Sequence, residues 1–210
     1  MDTLEKMKQT LMEGQAPQLR ELVQSALNEG MGAREILDQG LIPTMELVGA
    51  QFQAKEIYVP EVLLSARAML GVMEILEPAL LGAGVQPKAK LVLGTVQGDI
   101  HNIGKNLVGI MLKGGGFEVN DLGIDVSPET FVDAAKEEGV SIVCMSTLLV
   151  TSFPFMKATV EALQQASPKV KTMVGGAVVT PSYASSIGAD GWAPNAAAAV
   201  EKAKELLNLS

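Results

Sequence analysis

The chain has 210 residues, with 16 Lys and Arg against 24 Asp and Glu for a formal charge of −8, a length that holds one large domain or two modest ones. An acidic balance with 4% aromatic residues, and neither a basic run nor an aromatic stacking series, argues against nucleic acid as a partner. A single Cys, Cys144, excludes an internal disulfide framework, and one Cys with one His, His101, cannot build a Cys/His zinc site.

The N-terminal MDTLEKMKQT is charged and amphipathic, with no apolar core behind a basic flank, and no stretch reaches about 18 uninterrupted apolar residues. The expectation is a soluble, cytoplasmic protein without a membrane partner. From Thr3 to about Gly82 the apolar residues return at helical spacing: Leu4, Met7, Leu11; then Leu19, Leu22, Val23, Ala26, Leu27, ending at Gly30; then Ile36, Leu37, Leu41. A fourth helix is predicted from Pro43 to Phe52 and a fifth from Pro60, a residue suited to a first helical turn, to Leu76. These stripes predict an all-α bundle of four to five helices over residues 1–83. The segment Leu81–Lys88 (LGAGVQPK) carries two Gly and a Pro, and residues 84–89 are read as a linker.

Beyond the linker, over residues 90–210, the period changes. Short apolar runs predict strands at Lys90–Thr95, Phe117–Leu122, Ser141–Ser146, Lys171–Val174 and Asp190–Trp192. Helices are predicted between and after them, at Gly104–Lys113, Ser127–Glu138, Phe153–Gln165, Pro181–Ile187 and Asn195–Leu207, with Ser127, Pro128 and Glu129 as a start signal. Strands alternating with helices imply a five-stranded, parallel, doubly wound α/β domain, flavodoxin-like or Rossmann-like, whose ligands sit beyond the carboxyl ends of the strands.

The loop after the first strand reads Gly98-Asp99-Ile100-His101-Asn102-Ile103-Gly104. It is not a phosphate loop, because Gly98 and Gly104 are one residue too far apart and Asn106 replaces the magnesium-binding hydroxyl. A phospho-receiver domain would need an aspartate at the end of the third strand, where Ser146 stands. Two readings of His101 remain open. It is a loop histidine bonded to Asp99 or capping the next helix, or it is a metal ligand whose tautomer and basicity Asp99 sets. One imidazole suffices as a ligand only for a metal already held by a macrocycle. Cys144 falls inside the third strand and is read as buried filler.

These residues resemble the cobalamin-binding family that holds its cofactor base-off with a protein histidine on cobalt. That family's pattern is Asp-x-His-x-x-Gly, then Ser-x-Leu, then Gly-Gly. Here Asp99, His101 and Gly104 are followed by 41 residues (105–145), Ser146 and Leu148, 26 residues (149–174), and Gly175 and Gly176. The resemblance implies cobalamin or a related cobamide as cofactor, with His101 as its lower axial ligand and residues Gly98, Asp99, Ile100, His101, Asn102, Ile103 and Gly104 around it. Ser146, Leu148, Gly175 and Gly176 would line the path of the nucleotide tail, where small walls and bare backbone suit its shape. In the family a serine six residues beyond the first joins the histidine and aspartate in a proton relay, which implies a role for Ser152; a helix cap is the other reading of that serine.

The first half resembles the helical cap of methionine-synthase-like and methyltransferase corrinoid proteins at Phe52-Gln53-Ala54-Lys55-Glu56-Ile57-Tyr58-Val59-Pro60. By that match Phe52 and Val59 would lie over the methyl side of the cobalt, with Val59 standing where the family more often has Leu. The function implied is a corrinoid protein carrying a methyl group between a substrate-specific methyltransferase and a second one acting on a folate or thiol, with a reductive activase as a further partner. It would be the carrier component of a methyltransferase system, not catalytically complete alone. Two rivals share the cofactor motif: the cofactor subunit of an adenosylcobalamin-dependent mutase, and a cobalamin-binding sensor. The first needs a large substrate barrel as partner, and its cofactor domains usually lack this helical cap; the second normally appends a DNA-binding or signalling module, for which 210 residues are expected to leave no room.

Overall fold

A computed structural model describes residues 2–82 and 87–209. The chain divides into two compact units, Met1–Pro87 with Lys113–Gly116, and Lys88–Leu112 with Phe117–Ser210. Of the expected linker 84–89, residues 84–86 lie outside the described residues, and 87–89 have no regular structure.

The first unit is helical: α1 (Thr3–Met12), α2 (Ala16–Asn28), a short α3 (Ala33–Glu35) running into a π-helical turn (Ile36–Leu41), α4 (Ile42–Gln53) and α5 (Val59–Gly82). Its apolar stripes meet in a core with Met7, Leu11, Leu19, Val23, Met45 and Met69 all at or below 2% exposure. The α1–α2 turn passes close to α5, where a Cβ on Gly14 would fall 2.4 Å from that of Leu64. Two features depart from the sequence reading. The third stripe is a π-helical turn continuous with α4, and α5 runs on through Pro78 to Gly82, past the expected end at Leu76. Leu80, 6% exposed, anchors the turn beyond the proline.

The second unit contains, among the described residues, a five-stranded parallel sheet in the order β2-β1-β3-β4-β5. Its strands are β1 (Lys90–Thr95), β2 (Glu118–Asp121), β3 (Val140–Ser146), β4 (Lys171–Gly175) and β5 (Gly191–Ala193). Helices α6 (Ile103–Gly114), α7 (Pro128–Ala135), α8 (Phe153–Ala166), α9 (Pro181–Ser186) and α10 (Ala196–Leu206) connect and follow them, with a 3₁₀ turn at Val150–Ser152 before α8. This is the doubly wound architecture that the alternating pattern predicts. Helices α7, α9 and α10 open on side-chain caps: Ser127 Oγ, Thr180 Oγ1 and Asn195 Oδ1 accept the N–H groups of Thr130, Tyr183 and Ala198. The inner strands are buried on both faces, and Val92, Val143, Phe131 and Val160 are fully enclosed.

Register decides where the loops emerge. Thr95 pairs with Ser146, and Ser146 with Gly175, so the loops after β1, β3 and β4 leave the sheet side by side at its carboxyl edge.

Candidate functional site

The strand order reverses between β1 and β3, and the β1 loop rises at that point. Val96 N–H donates to the Ser146 carbonyl (3.1 Å), and Asp99 N–H closes back on Val96 (3.2 Å). Gly98 has φ +83, a left-handed conformation that makes glycine the natural residue at this bend. The loop is also held from the β2–α7 connection. Asp125, itself left-handed at φ +54, donates its N–H to the Asp99 carbonyl (3.0 Å) and accepts the Gly98 N–H on Oδ1 (2.8 Å).

The loop turns the Asp99 carboxylate inward, to 0% exposure, and leaves the His101 side chain 50% exposed. Asp99 Oδ1 receives the His101 N–H (2.9 Å) and meets His101 Nδ1 at 2.6 Å. Asp99 Oδ2 receives the Thr147 hydroxyl (2.7 Å) and the Leu148 N–H (2.6 Å). Burial works against ionisation of Asp99, but the N–H groups of His101 and Leu148, the Thr147 hydroxyl and the His101 ring outweigh it and hold the carboxyl down to about 2. An ionised carboxylate only accepts, so Nδ1 carries a proton, and in the neutral ring the lone pair of His101 lies on Nε2. The Thr95 hydroxyl fixes the backbone of the same residue by donating to the His101 carbonyl at 2.8 Å.

The other expected site residues group around this pair or stand apart from it. Ile100 and Ile103, 70% and 78% exposed, flank His101 in the chain as apolar surface, and the Asn102 carbonyl accepts the Asn106 N–H in the first turn of α6. A Cβ at Gly104 would meet no atom of the described residues within 4 Å, so its open face is not needed by the fold. Ser146 ends β3, and Leu148 contributes both an exposed side chain (41%) and its N–H to Asp99. Gly175 ends β4 beside it and Gly176 follows; Gly176, at φ +126, lies so close to the loop after β3 that a Cβ would fall 1.9 Å from the Thr147 carbonyl oxygen.

Ser152 is 1% exposed, and its hydroxyl has no hydrogen-bond partner among the described residues. It precedes α8 without capping it through its side chain. Phe52 lies half-buried in the last turn of α4, and Val59 opens α5 at 38% exposure, across a turn in which Lys55 has φ +61. Thr147 and Asp125 were not picked out by the sequence reading; the one signal for Thr147 was its place inside Ser146-x-Leu148. Cys144 lies inside β3, buried as expected, and burial pushes its thiol up to about 12.

Among the described residues no three His, Cys, Asp or Glu side chains converge as a metal cluster, so the donor set here is one imidazole on a buried carboxylate. That set suits a metal carried in a macrocycle, and the open side of Gly104 fits a ligand that the chain alone does not replace.

A parallel sheet with this histidine loop at its switch point is a corrinoid-binding architecture, and the chain belongs to the B12-binding family. It matches that family's B12 binding domain over residues 89–201, and a second B12 binding domain model over residues 3–77. It is 39% identical to a corrinoid protein of Desulfitobacterium hafniense, over 99% of this chain and 98% of that one. It is also 42% identical to a dimethylamine corrinoid protein of Methanosarcina mazei, over 84% and 83%. Among solved structures it is similar to a chain of the methanol:cobalamin methyltransferase complex MtaBC from Methanosarcina barkeri, with a TM-score of 0.87 and 27% identity over 99% of this chain and 80% of that one. No helix among the described residues is long and apolar enough to cross a membrane.

Proposed function

We propose that this chain is the corrinoid component of a methyltransferase system, carrying a methyl group from a substrate-specific methyltransferase to a second one that serves a folate or thiol acceptor. The observation that carries the proposal is the half-exposed His101 imidazole, fixed through Nδ1 on a buried carboxylate at 2.6 Å, at the carboxyl edge of the sheet. Likeness to methylamine corrinoid proteins and to the methanol system supports the methyl-carrying role without selecting a donor.

When bound, the cobamide supplies a cobalt centre that takes and yields the methyl group. His101 Nε2 would be its lower axial ligand, base-off, and Asp99 holds that nitrogen bare and raises its basicity. Gly98, Ile100, Asn102, Ile103 and Gly104 would border the ring beside His101. Ser146, Leu148, Gly175 and Gly176, adjacent by strand register, would receive the nucleotide tail. The assignment of Phe52 and Val59 to the methyl side rests on the sequence likeness of the helical unit. The two units are proposed as separate domains joined through residues 84–89, and a reductive activase is proposed as a third partner.

The test is the visible spectrum of the full chain loaded with hydroxocobalamin, alkylated, and freed of loose cofactor, compared with His101→Ala. The wild type should retain corrinoid with an imidazole-ligated spectrum, and the variant should shift to the base-off form. A wild type that retains nothing, or a variant spectrum unchanged at every pH, would overturn the assignment.

A further inference from the structure

We infer that Thr147, and not Ser152, is the hydroxyl that completes the Asp99–His101 pair and so positions the imidazole. The inference rests on the proposed ligand role of His101 and deepens it.

A carboxylate offers about four lone-pair sites. Among the described residues Asp99 already meets four donors: the N–H and Nδ1–H of His101 on Oδ1, and the Thr147 hydroxyl and Leu148 N–H on Oδ2. The buried Ser152 hydroxyl is not among these donors and has no hydrogen-bond partner among the described residues. The polarity of the Thr147 bond is also fixed. An ionised carboxylate only accepts, so the Thr147 hydroxyl donates to Asp99 at 2.7 Å, nearer than its other acceptor, the Leu149 carbonyl at 3.3 Å, while Leu149 N–H donates to Thr147 Oγ1 at 3.1 Å. Thr147 is 1% exposed, so water does not compete for either bond.

The Gly-Gly pair has a second task in this arrangement. Thr147 donates its N–H to the Gly175 carbonyl at 3.2 Å, and Gly176 leaves only enough space for the Thr147 carbonyl because it lacks a side chain. The β4 loop therefore grips the Thr147 peptide, Thr147 grips Asp99, and Asp99 grips His101. The chain of contacts runs from the site proposed for the nucleotide tail to the proposed ligand atom through four residues.

The experiment compares Thr147→Val, which keeps the branched shape and loses the hydroxyl, with Thr147→Ser, which keeps the hydroxyl, and with Ser152→Ala. The first readout needs no cofactor: ¹⁵N NMR of the single histidine reports the fraction of His101 with a protonated Nδ1 and a bare Nε2. The second is the ratio of imidazole-ligated to base-off spectra in the loaded full chain at fixed pH. Thr147→Val should lower the Nδ1–H fraction and reduce the ligated-to-free ratio about tenfold, the scale of lost outer-shell support for a metal-bound histidine. Thr147→Ser should restore both, and Ser152→Ala should leave both at wild-type values. If Thr147→Val does not fold, Thr147→Ala takes its place. The inference is overturned if the Thr147 variants match wild type, or if Ser152→Ala alone shifts the readouts. His101→Ala separates the two levels: an unchanged loaded spectrum there removes the ligand role, while the NMR fraction still judges Thr147.

Discussion

The Lys105 ammonium, on a side chain only 2% exposed, reaches both carboxylate oxygens of Asp121, at 2.6 and 2.5 Å. Lys105 lies in the first turn of α6, directly after Gly104, and Asp121 ends β2. Asp121 Oδ1 also accepts the Gly123 N–H at 2.9 Å, so the pair ties the histidine loop's exit to the segment that carries Asp125. The two partners differ in their access to water, because the Asp121 side chain is 38% exposed.

That difference predicts an asymmetry between two substitutions. Lys105→Met leaves a carboxylate that water can reach, and a cost of about 1 kcal/mol is expected. Asp121→Asn leaves an ammonium buried without its counter-charge, and about 3 kcal/mol or more is expected. Urea midpoints at unchanged m-value measure both. Equal losses would mean that the Lys105 stem packs more than its charge matters.

The depressed carboxyl of Asp99 predicts an acid-sensitive fold. Its native value of about 2 lies below the ordinary 3.8, so the unfolded chain binds this proton more readily. The contribution to stability, on the order of 2 kcal/mol, is complete above about pH 4 and is lost as pH falls toward 2. Denaturant unfolding at pH 5 and pH 3 should show about half of that loss in the wild type, and Asp99→Asn should be less stable at pH 5 with a flatter acid slope.

The sequence made the periodic parts of this fold readable and hid the parts set by contact between distant residues. Lys90–Thr95 forms β1 with the expected bounds because a short apolar run before a glycine loop has few alternatives. The fifth helix, predicted to end at Leu76, runs on to Gly82; the proline inside it at Pro78 costs about 3 kcal/mol, and burial of Leu80 carries α5 past it. The π-helical turn at Ile36–Leu41 left no trace because its apolar residues also fit an α-helix. Asp99 and His101 stood out because they are two residues apart. Thr147 donates across 48 residues of sequence, and no local pattern marks such a bond.

Two glycine substitutions should separate fold from ligand space. Gly176→Ala places a Cβ 1.9 Å from the Thr147 carbonyl oxygen at φ +126, where backbone must move, and a destabilisation of about 3 kcal/mol is expected. Gly104→Ala adds a methyl with no described atom within 4 Å, so the apoprotein should melt as wild type. If the open side of Gly104 is where the cofactor lies, the same variant should retain less corrinoid after gel filtration. Wild-type retention would place the cofactor elsewhere.

Cys144 gives a probe of the sheet itself. It lies in β3 at 3% exposure, and burial raises its thiol to about 12, so at neutral pH the native protein presents almost no thiolate to a reagent. Both neighbouring strands pair with β3, with Leu93 and Met173 opposite Cys144, and reaction therefore requires the centre of the sheet to open. A disulfide reagent should label the native chain at least about a thousandfold more slowly than the chain unfolded in guanidinium, as an opening energy of several kcal/mol dictates. A ligand bound only to the folded state suppresses opening by mass action, so saturation with hydroxocobalamin should slow labelling further in the wild type. Labelling that is fast in the native chain would show that β3 opens locally without unfolding of the unit.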